Sequence, residues 1–237
     1  MRRKPAALGG GKPAAQARAK AATPAPRRRG GPRPGADSAA TRAAIVAAAA
    51  EAFSRHGFAG VGVDHIARAA GVNKAMIYYH FADKLALYRE IVRDMLRYAG
   101  TSAAAIAGAS DSPQRKIERW IETFVALGEQ RPYFPPLMMR ELAEGAPHLD
   151  RDTFGLIRHV IGAFARIIAD GQQSGAFRSV NPILAYITLL APLMFNAARE
   201  RAAAQPGRGD LPMFVEVSHA ELTRHMQQVA LRMLHKD

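Results

Sequence analysis

The strongest constraint in this 237-residue sequence is a pair of short apolar-faced segments joined by Gly71-Val72-Asn73. Apolar residues recur at helical spacing from Val63 to Ala70, and residues 74–81 form a second short segment after the turn. Glycine permits a positive φ, and asparagine can accept a hydrogen bond from the first turn of a following helix. The spacing therefore predicts a helix-turn-helix, whose second helix can enter the major groove of DNA.

A longer helix precedes this pair. Asp37 or Ser38 can cap it, its apolar positions fall at helical spacing, and Gly57 ends it. In the second short helix, Ile77 and Phe81 are expected to face inward. At 100° per residue, its outward face then holds Ala75, Met76, Tyr79 and Ala82, flanked by Tyr78 and His80.

These residue types suit contact with DNA. Tyrosine hydroxyls and the Lys74 ammonium can bond phosphates, while Tyr79, Met76 and Ala75 can reach base edges or a thymine methyl. Helical hairpins are also common in all-α proteins, so the aromatic residues could instead pack beneath the next domain.

The stretch from Thr41 to Leu87 contains IARAAGV, IYYHF and Asp83-Lys84-Leu85 in succession. In these motifs it resembles the N-terminal DNA-binding domain of the TetR (tetracycline-repressor-like) family of transcriptional regulators. The resemblance implies a three-helix unit followed by an all-helical domain that dimerises and binds small ligands. It further implies a set of DNA-contacting positions, here Lys74, Ala75, Met76, Tyr78, Tyr79, His80 and Lys84.

Three positions depart from the family pattern. Gly62 stands where the family usually has a capping Thr or Ser, so a hydroxyl contact to phosphate is missing there. Met76 replaces a small or hydroxylated residue, and Asp64 puts an acid near the DNA. These changes leave no basis for predicting the operator sequence.

Residues 85–237 show no useful alternating strand pattern and are predicted to form helices. We expect an all-α protein with a basic arm at 1–36, a helix-turn-helix domain at 37–84 and a helical effector-binding and dimerisation domain at 85–237. The helices are predicted near 84–108, 113–130, 133–144, 151–174, 181–203 and 213–235.

The arm carries most of the formal charge of +13. Residues 1–36 hold ten Lys or Arg and no acid, which leaves a net charge of +3 for the rest. Many Pro and Gly residues and few apolar anchors predict a disordered segment. It is either a solubilising tail or a cationic arm that strengthens non-specific nucleic-acid binding by releasing counterions.

The last two predicted helices are rich in Leu, Ile, Met and Ala, as a dimer-forming four-helix bundle requires. We therefore expect a homodimer, although the same residues could close the monomer core. Aromatic and Met side chains between the two ends suggest a pocket for an apolar or amphipathic small-molecule effector. Its candidate lining residues are Trp120, Phe124, Met138, Phe164 and Met194.

Several function classes are disfavoured. The chain has no cysteine, and it lacks a nucleophile elbow, a Walker loop, a dinucleotide glycine fingerprint and a His-Glu-x-x-His zinc motif. We therefore expect no enzyme activity, no metal site and no cofactor. Because no secretory leader and no uncharged apolar run near roughly 18 residues is evident, we expect a cytoplasmic protein without a membrane partner.

The combined prediction is a ligand-responsive regulator, most simply a repressor, that binds double-stranded operator DNA as a homodimer. One alternative is a non-specific nucleic-acid binder driven by the arm. The other is a helical ligand-binding protein with no DNA role.

Overall fold

The computed structural model describes residues 34–203 and 217–235, and the regular structure within those ranges is entirely helical. The predicted all-α fold class is thus confirmed. In chain order the helices are α1 (Pro34–His56), α2 (Val63–Ala70), α3 (Lys74–His80), α4 (Lys84–Gly108), α5 (Pro113–Gln130), α6 (Phe134–Ala143), α7 (Arg151–Gln173), α8 (Pro182–Ala203) and α9 (His219–Leu234).

Helices α1 to α3 form a small unit, here called the head. Gly71 ends α2 in the left-handed region at φ 67°, and the Asn73 side chain accepts a hydrogen bond from the Ala75 N–H at the start of α3. The Asp83 carboxylate caps α4 by accepting from the Ala86 N–H. The predicted turn chemistry of the helix-turn-helix is therefore confirmed.

Two helix ends differ from prediction. Helix α1 begins at Pro34, so residues 34–36 are helical and not part of the arm; proline is well tolerated in a first helical turn. Helix α9 begins at His219, later than the predicted 213, because Ser218 and Glu221 form a reciprocal capping box there. The predicted disorder of residues 1–33 concerns a segment outside the described residues.

Helices α4 and α7 pack side by side through the middle of the molecule, with α5, α6 and α8 around them and α9 against α5. Gly100 permits the close approach of α4 and α7, since a Cβ there would lie 2.9 Å from His159 Cδ2.

The buried side chains form two clusters. The head-side core joins the head to the near parts of α4, α6 and α7, and so crosses the predicted domain boundary at residue 84; its members include Ile45, Phe53, Ile77, Tyr88, Leu137, Met138 and Val160. The distal core fills the other end, and its members include Trp120, Ile121, Phe164, Ile167, Leu189 and Leu234.

Helix α8 is apolar on its outer face as well as its inner face. Ile183, Leu184, Ile187 and Phe195 are all exposed along it. By length and composition this helix could cross a membrane, contrary to our expectation that no such segment exists. The apolar residues on both faces explain the mismatch, because a helix that packs inward and also presents an apolar outer surface has few polar positions left.

Candidate DNA-binding face and apolar cavity

The exposed side of α3 carries aromatic and small residues. Ile77 is fully buried beneath the helix, whereas Tyr79 is 75% exposed and Tyr78 is 50% exposed. Ala75 is also exposed. The structure therefore brings these three predicted residues together on one outward surface, and the alternative that both tyrosines are buried under the next domain is wrong.

Met76 and His80 of the same helix are less exposed than predicted. Met76 is half-buried and packs against the head-side core. His80 is also half-buried beside Phe81, and its Nε2 atom has no hydrogen-bond partner within the described part of the chain. Only the edges of these two side chains are therefore available to a partner on the α3 surface.

Lys74 and Asp64 form an ion pair across the turn, with 3.0 Å between Nζ and Oδ2. The hydrogen bond and charge of Asp64 raise the pKa of Lys74. Asp64 therefore offsets one positive charge on the surface that presents the tyrosines. No side chain caps α2 at Gly62, as its lack of a hydroxyl predicts.

Lys84 does not project freely from the start of α4. Its ammonium donates to the backbone carbonyls of Phe58 and Val61, each at 3.0 Å, and lies 4.1 Å from the centre of the Phe58 ring. These contacts tie α4 to the connection between α1 and α2. One ammonium hydrogen remains for a further acceptor such as a phosphate.

A buried polar cluster that the sequence reasoning missed joins the head to α6. Glu141 accepts hydrogen bonds from the Tyr88 hydroxyl at 2.7 Å and from the His148 N–H at 2.8 Å. Burial and the neighbouring Glu141 carboxylate raise the pKa of Tyr88. The His148 ring lies 4.2 Å from that of Phe58 in the head. Tyr88 and Glu141 are 53 positions apart, so no local pattern reveals them.

A second junction forms where α7 begins. Asp150 caps α7 by accepting from the Thr153 N–H, and the Arg93 guanidinium of α4 donates to the same carboxylate. The hydrogen bond from Arg93 is the main reason that the pKa of Asp150 lies well below its usual range, against a smaller opposing effect of burial.

The far end of α8 reaches the head directly. Arg201 pairs with Glu51 of α1 at 2.7 Å, and Arg55 pairs with the same carboxylate. Partial burial opposes ionisation of Glu51, but the hydrogen bonds and charges of Arg201 and Arg55 prevail and lower its pKa.

A cavity of about 390 Å³ lies between α4, α5, α6, α7 and α8, where the two cores meet. None of the described side chains that line it is charged. Its walls are formed by Met95, Leu96, Ala99, Phe124, Leu127, Gly128, Phe134, Pro135, Met138, Met139, Leu142, Ile157, Val160, Ile161, Tyr186, Ile187, Leu190, Ala191, Leu193, Met194 and Ala197.

Three of the five predicted lining residues, Phe124, Met138 and Met194, are therefore in the wall. The prediction is wrong for Trp120 and Phe164, which are fully buried in the distal core behind it. Trp120 stacks on Phe124 with ring centres 4.2 Å apart, so aromatic residues of the wall rest on aromatic residues of the core.

The mouth of the cavity lies between α6 and α8. Met139 and Leu142 on α6 are 37% and 63% exposed, and Ile187 on α8 is 54% exposed. The mouth therefore continues into the apolar outer face of α8.

Two family models match the sequence. Residues 45–91 match the bacterial regulatory proteins of the tetR family, and residues 113–212 match the tetracyclin repressor-like C-terminal domain. Together they span more than half of the chain and cover both the head and the cavity-bearing helices.

Curated relatives agree with these matches. The chain is 29% identical over 143 residues to the HTH-type transcriptional regulator RutR of Escherichia coli K12, covering 60% of this chain and 67% of RutR. It is 28% identical over 208 residues to the HTH-type transcriptional regulator EthR of Mycolicibacterium smegmatis, covering 83% and 90% respectively.

Solved structures share the fold. The TetR family transcriptional regulator PfmR from Thermus thermophilus aligns with a TM-score of 0.64 at 24% identity, over 81% of this chain and 99% of PfmR. A putative fatty acid metabolism regulator of Clostridium perfringens aligns with a TM-score of 0.66 at 19% identity, over 82% and 100%. With a helix-turn-helix head joined to an all-helical domain, the chain belongs to the TetR family of DNA-binding transcriptional regulators.

Proposed function

We propose that this regulator binds a roughly palindromic operator as a homodimer through α3, and that a small apolar effector in the cavity changes its affinity for DNA. The observation that carries the proposal is the joining of an exposed tyrosine face and an apolar cavity through one continuous head-side core. A ligand that alters the wall of the cavity can thereby alter the position of the head.

On this proposal Tyr79 and Ala75 contact base edges, and Tyr78 and Lys74 contact phosphates. Lys84 donates its remaining ammonium hydrogen to a phosphate of the DNA backbone. Met76 and His80 contribute only at the margin of the interface. The extreme exposure of Tyr79 supports this assignment, because a large aromatic side chain in water is a common mark of a binding surface.

The outer face of α8 is the proposed dimer interface. Its exposed apolar residues Leu184, Ile187 and Phe195 recur on one side of the helix, and a two-fold contact between two copies would remove them from water. The exposed positions of α9 are mainly polar, so α9 contributes less than the sequence predicted. Two-fold symmetry would set the two heads in successive major grooves about 34–36 Å apart.

Helix α6 is the proposed link between effector and head. Met138 and Met139 face the cavity, while Glu141 on the same helix bonds Tyr88 of α4 and lies next to His148, whose ring contacts Phe58 of the head. An effector that fits only one arrangement of α6 lowers or raises DNA affinity by its differential binding to the two states. The relative NicS of Pseudomonas putida is named a transcriptional repressor. We accordingly propose repression, relieved by the effector, in the cytoplasm where the operator is found.

A substitution at Tyr79 tests the DNA interface. An operator is first selected from random-sequence DNA, and its affinity is compared with that for scrambled DNA. Loss of a base contact costs about 1–3 kcal/mol, so Tyr79→Ala is expected to weaken operator binding about 5- to 150-fold and to affect scrambled DNA much less. Tyr98→Ala removes a half-exposed tyrosine from α4, far from α3 in the chain, and is the matched control. Equal loss on both DNAs would assign Tyr79 to phosphate contact or packing.

The arm supports a second candidate function, because residues 1–33 hold ten Lys or Arg and no acid. A non-specific binder driven by the arm would show steep salt dependence and little dependence on base sequence. Comparing the full chain with residues 34–237 on both DNAs at two salt concentrations separates the two candidates. If the shortened chain keeps its preference for the operator, the head carries recognition.

A further inference from the structure

We propose that the cavity selects neutral, mainly apolar molecules that carry one hydrogen-bond acceptor, and that the Tyr186 hydroxyl donates the bond that orients them. This inference rests on the proposed effector role of the cavity and specifies the chemistry of the ligand.

Tyr186 is the sole residue of the described cavity wall whose side chain has a nitrogen or oxygen atom. Its ring is held edge-on against Trp120 and Phe164, at 5.9 Å and 5.6 Å between ring centres. Its hydroxyl makes no hydrogen bond within residues 34–203 and 217–235, whereas the buried Tyr88 hydroxyl is fully engaged by Glu141. Desolvation raises the pKa of Tyr186, so the hydroxyl keeps its proton and can donate at neutral pH.

A second donor is left unpaired beside it. Trp120 is fully buried, and its indole Nε1 has no partner within the described residues. Leaving a buried donor without a partner costs about 1–3 kcal/mol, which makes such groups uncommon in a finished core. Because Trp120 lies behind the wall, its N–H is not a contact for the ligand, and the Tyr186 hydroxyl is the one side-chain donor of the described wall.

The rest of the cavity wall disfavours a charged ligand. An ion buried without a partner loses several kcal/mol of hydration, and no side chain of the described wall carries a compensating charge. Because a cavity of about 150 Å³ holds a benzene ring, one of about 390 Å³ has room for roughly 15 non-hydrogen atoms. Ketones, esters and similar neutral acceptors on an alicyclic or aliphatic body meet these requirements.

Three probes of matched size test the inference: cyclohexyl methyl ketone, isopropylcyclohexane and cyclohexanecarboxylate. Each is titrated into the full chain, and binding is followed by the fluorescence of Trp120, the one tryptophan in the sequence, and by thermal stabilisation. A neutral hydrogen bond is worth about 0.5–1.5 kcal/mol, so the ketone is expected to bind about 2- to 10-fold more tightly than the hydrocarbon. The carboxylate is expected to bind most weakly.

Tyr186→Phe is expected to weaken ketone binding to the level of the hydrocarbon and to leave hydrocarbon binding unchanged. Tyr98→Phe, which removes the hydroxyl of an exposed tyrosine on α4, is the matched control and keeps the preference. An unchanged preference in Tyr186→Phe, tighter binding of the carboxylate, or failure of all three probes to bind would overturn the inference.

Operator affinity measured with the same probes separates the inference from the function on which it rests. Tyr186-dependent ketone binding without any change in operator affinity would support the ligand chemistry and contradict the effector role. Release of DNA by ketone and hydrocarbon alike, with equal affinity, would support the effector role and contradict the assignment of Tyr186.

Discussion

The junction of α4 with α6 and the region beside the cavity differ in how completely their buried polar groups are paired. In the head-side core, Glu141 bonds Tyr88 and His148. Beside the cavity, the Trp120 N–H of the distal core and the Tyr186 hydroxyl, which packs against both cores, have no partner within the part of the chain that the structure describes. The junction of α4 with α6 is thus fixed by specific bonds, while the region beside the cavity holds unpaired donors. His80 Nε2 on α3 is likewise unpaired among the described residues.

This difference suits the two tasks proposed for the regulator. Recognition of DNA requires that α3 be held in one orientation, and satisfied buried polar groups favour a single packing arrangement. A ligand site requires the reverse, because an unpaired donor in its wall gains a partner only when the ligand arrives. Removal of polar groups from each side tests the contrast.

The largest effect is expected for Glu141→Ala in the head-side core. It leaves the buried Tyr88 hydroxyl and the His148 N–H without an acceptor, which should lower the free energy of unfolding by about 2–4 kcal/mol. Urea unfolding measures the loss, and Glu144→Ala, an exposed carboxylate at the end of the same helix, should change stability by less than about 0.5 kcal/mol. Similar values for both variants would show that the Glu141 cluster does not fix this core.

A smaller, pH-dependent effect is expected at the junction of α4 and α7. The pKa of Asp150 is lowered in the folded protein, so its charge contributes stability above its unfolded pKa and loses that contribution as the pH falls through the folded value. Asp150→Asn keeps a capping side chain but removes the charge. The wild type should exceed the variant by about 1–2 kcal/mol at neutral pH, with the difference shrinking below about pH 4.

Denaturant unfolding of both proteins across the acid range measures this difference. If the difference in unfolding free energy between the wild type and Asp150→Asn stays constant with pH, Arg93 stabilises α7 through its packing and not through the ionised Asp150 carboxylate.

The smallest effect is expected for Tyr186→Phe in the absence of ligand. Because the hydroxyl has no partner to lose among the described residues, its removal should change the free energy of unfolding by about 0.5 kcal/mol or less, in either direction. Thermal and urea unfolding of the ligand-free variant check this. A decrease in the free energy of unfolding above about 1 kcal/mol would show that the Tyr186 hydroxyl is already hydrogen-bonded. It would contradict the proposed difference between the two regions.

Locally encoded features of the fold were predictable from the sequence. Gly71 and Asn73 specify the turn between α2 and α3 through backbone φ and a side-chain cap, which involve residues close in the chain. Most helix bounds followed from apolar periodicity and turn residues in the same way. The start of α9 was missed because apolar periodicity alone does not mark the cap at Ser218.

The site was only partly predictable. The exposure of Tyr79 was predictable because helical phase places it opposite Ile77, and Tyr78 flanks the same outward face. Trp120 and Phe164 were assigned to the cavity because a sequence shows which residues are aromatic but not where helices leave space between them. Lys84 matches a family position, but its bonds to the Phe58 and Val61 carbonyls depend on the three-dimensional path of the α1–α2 connection.

Different sides of helix α8 serve the cavity, the outer face and the contact with the head, and the phase of the helix sets all three. Tyr186 and Met194 line the cavity, Leu184 and Ile187 lie on the outer face, and Arg201 reaches Glu51 of the head. Insertion or deletion of one residue near the middle would rotate every later position by about 100°. Met194 would leave the cavity and Arg201 would leave the head in the same event. The helix can therefore be altered one side chain at a time far more readily than it can be lengthened or shortened.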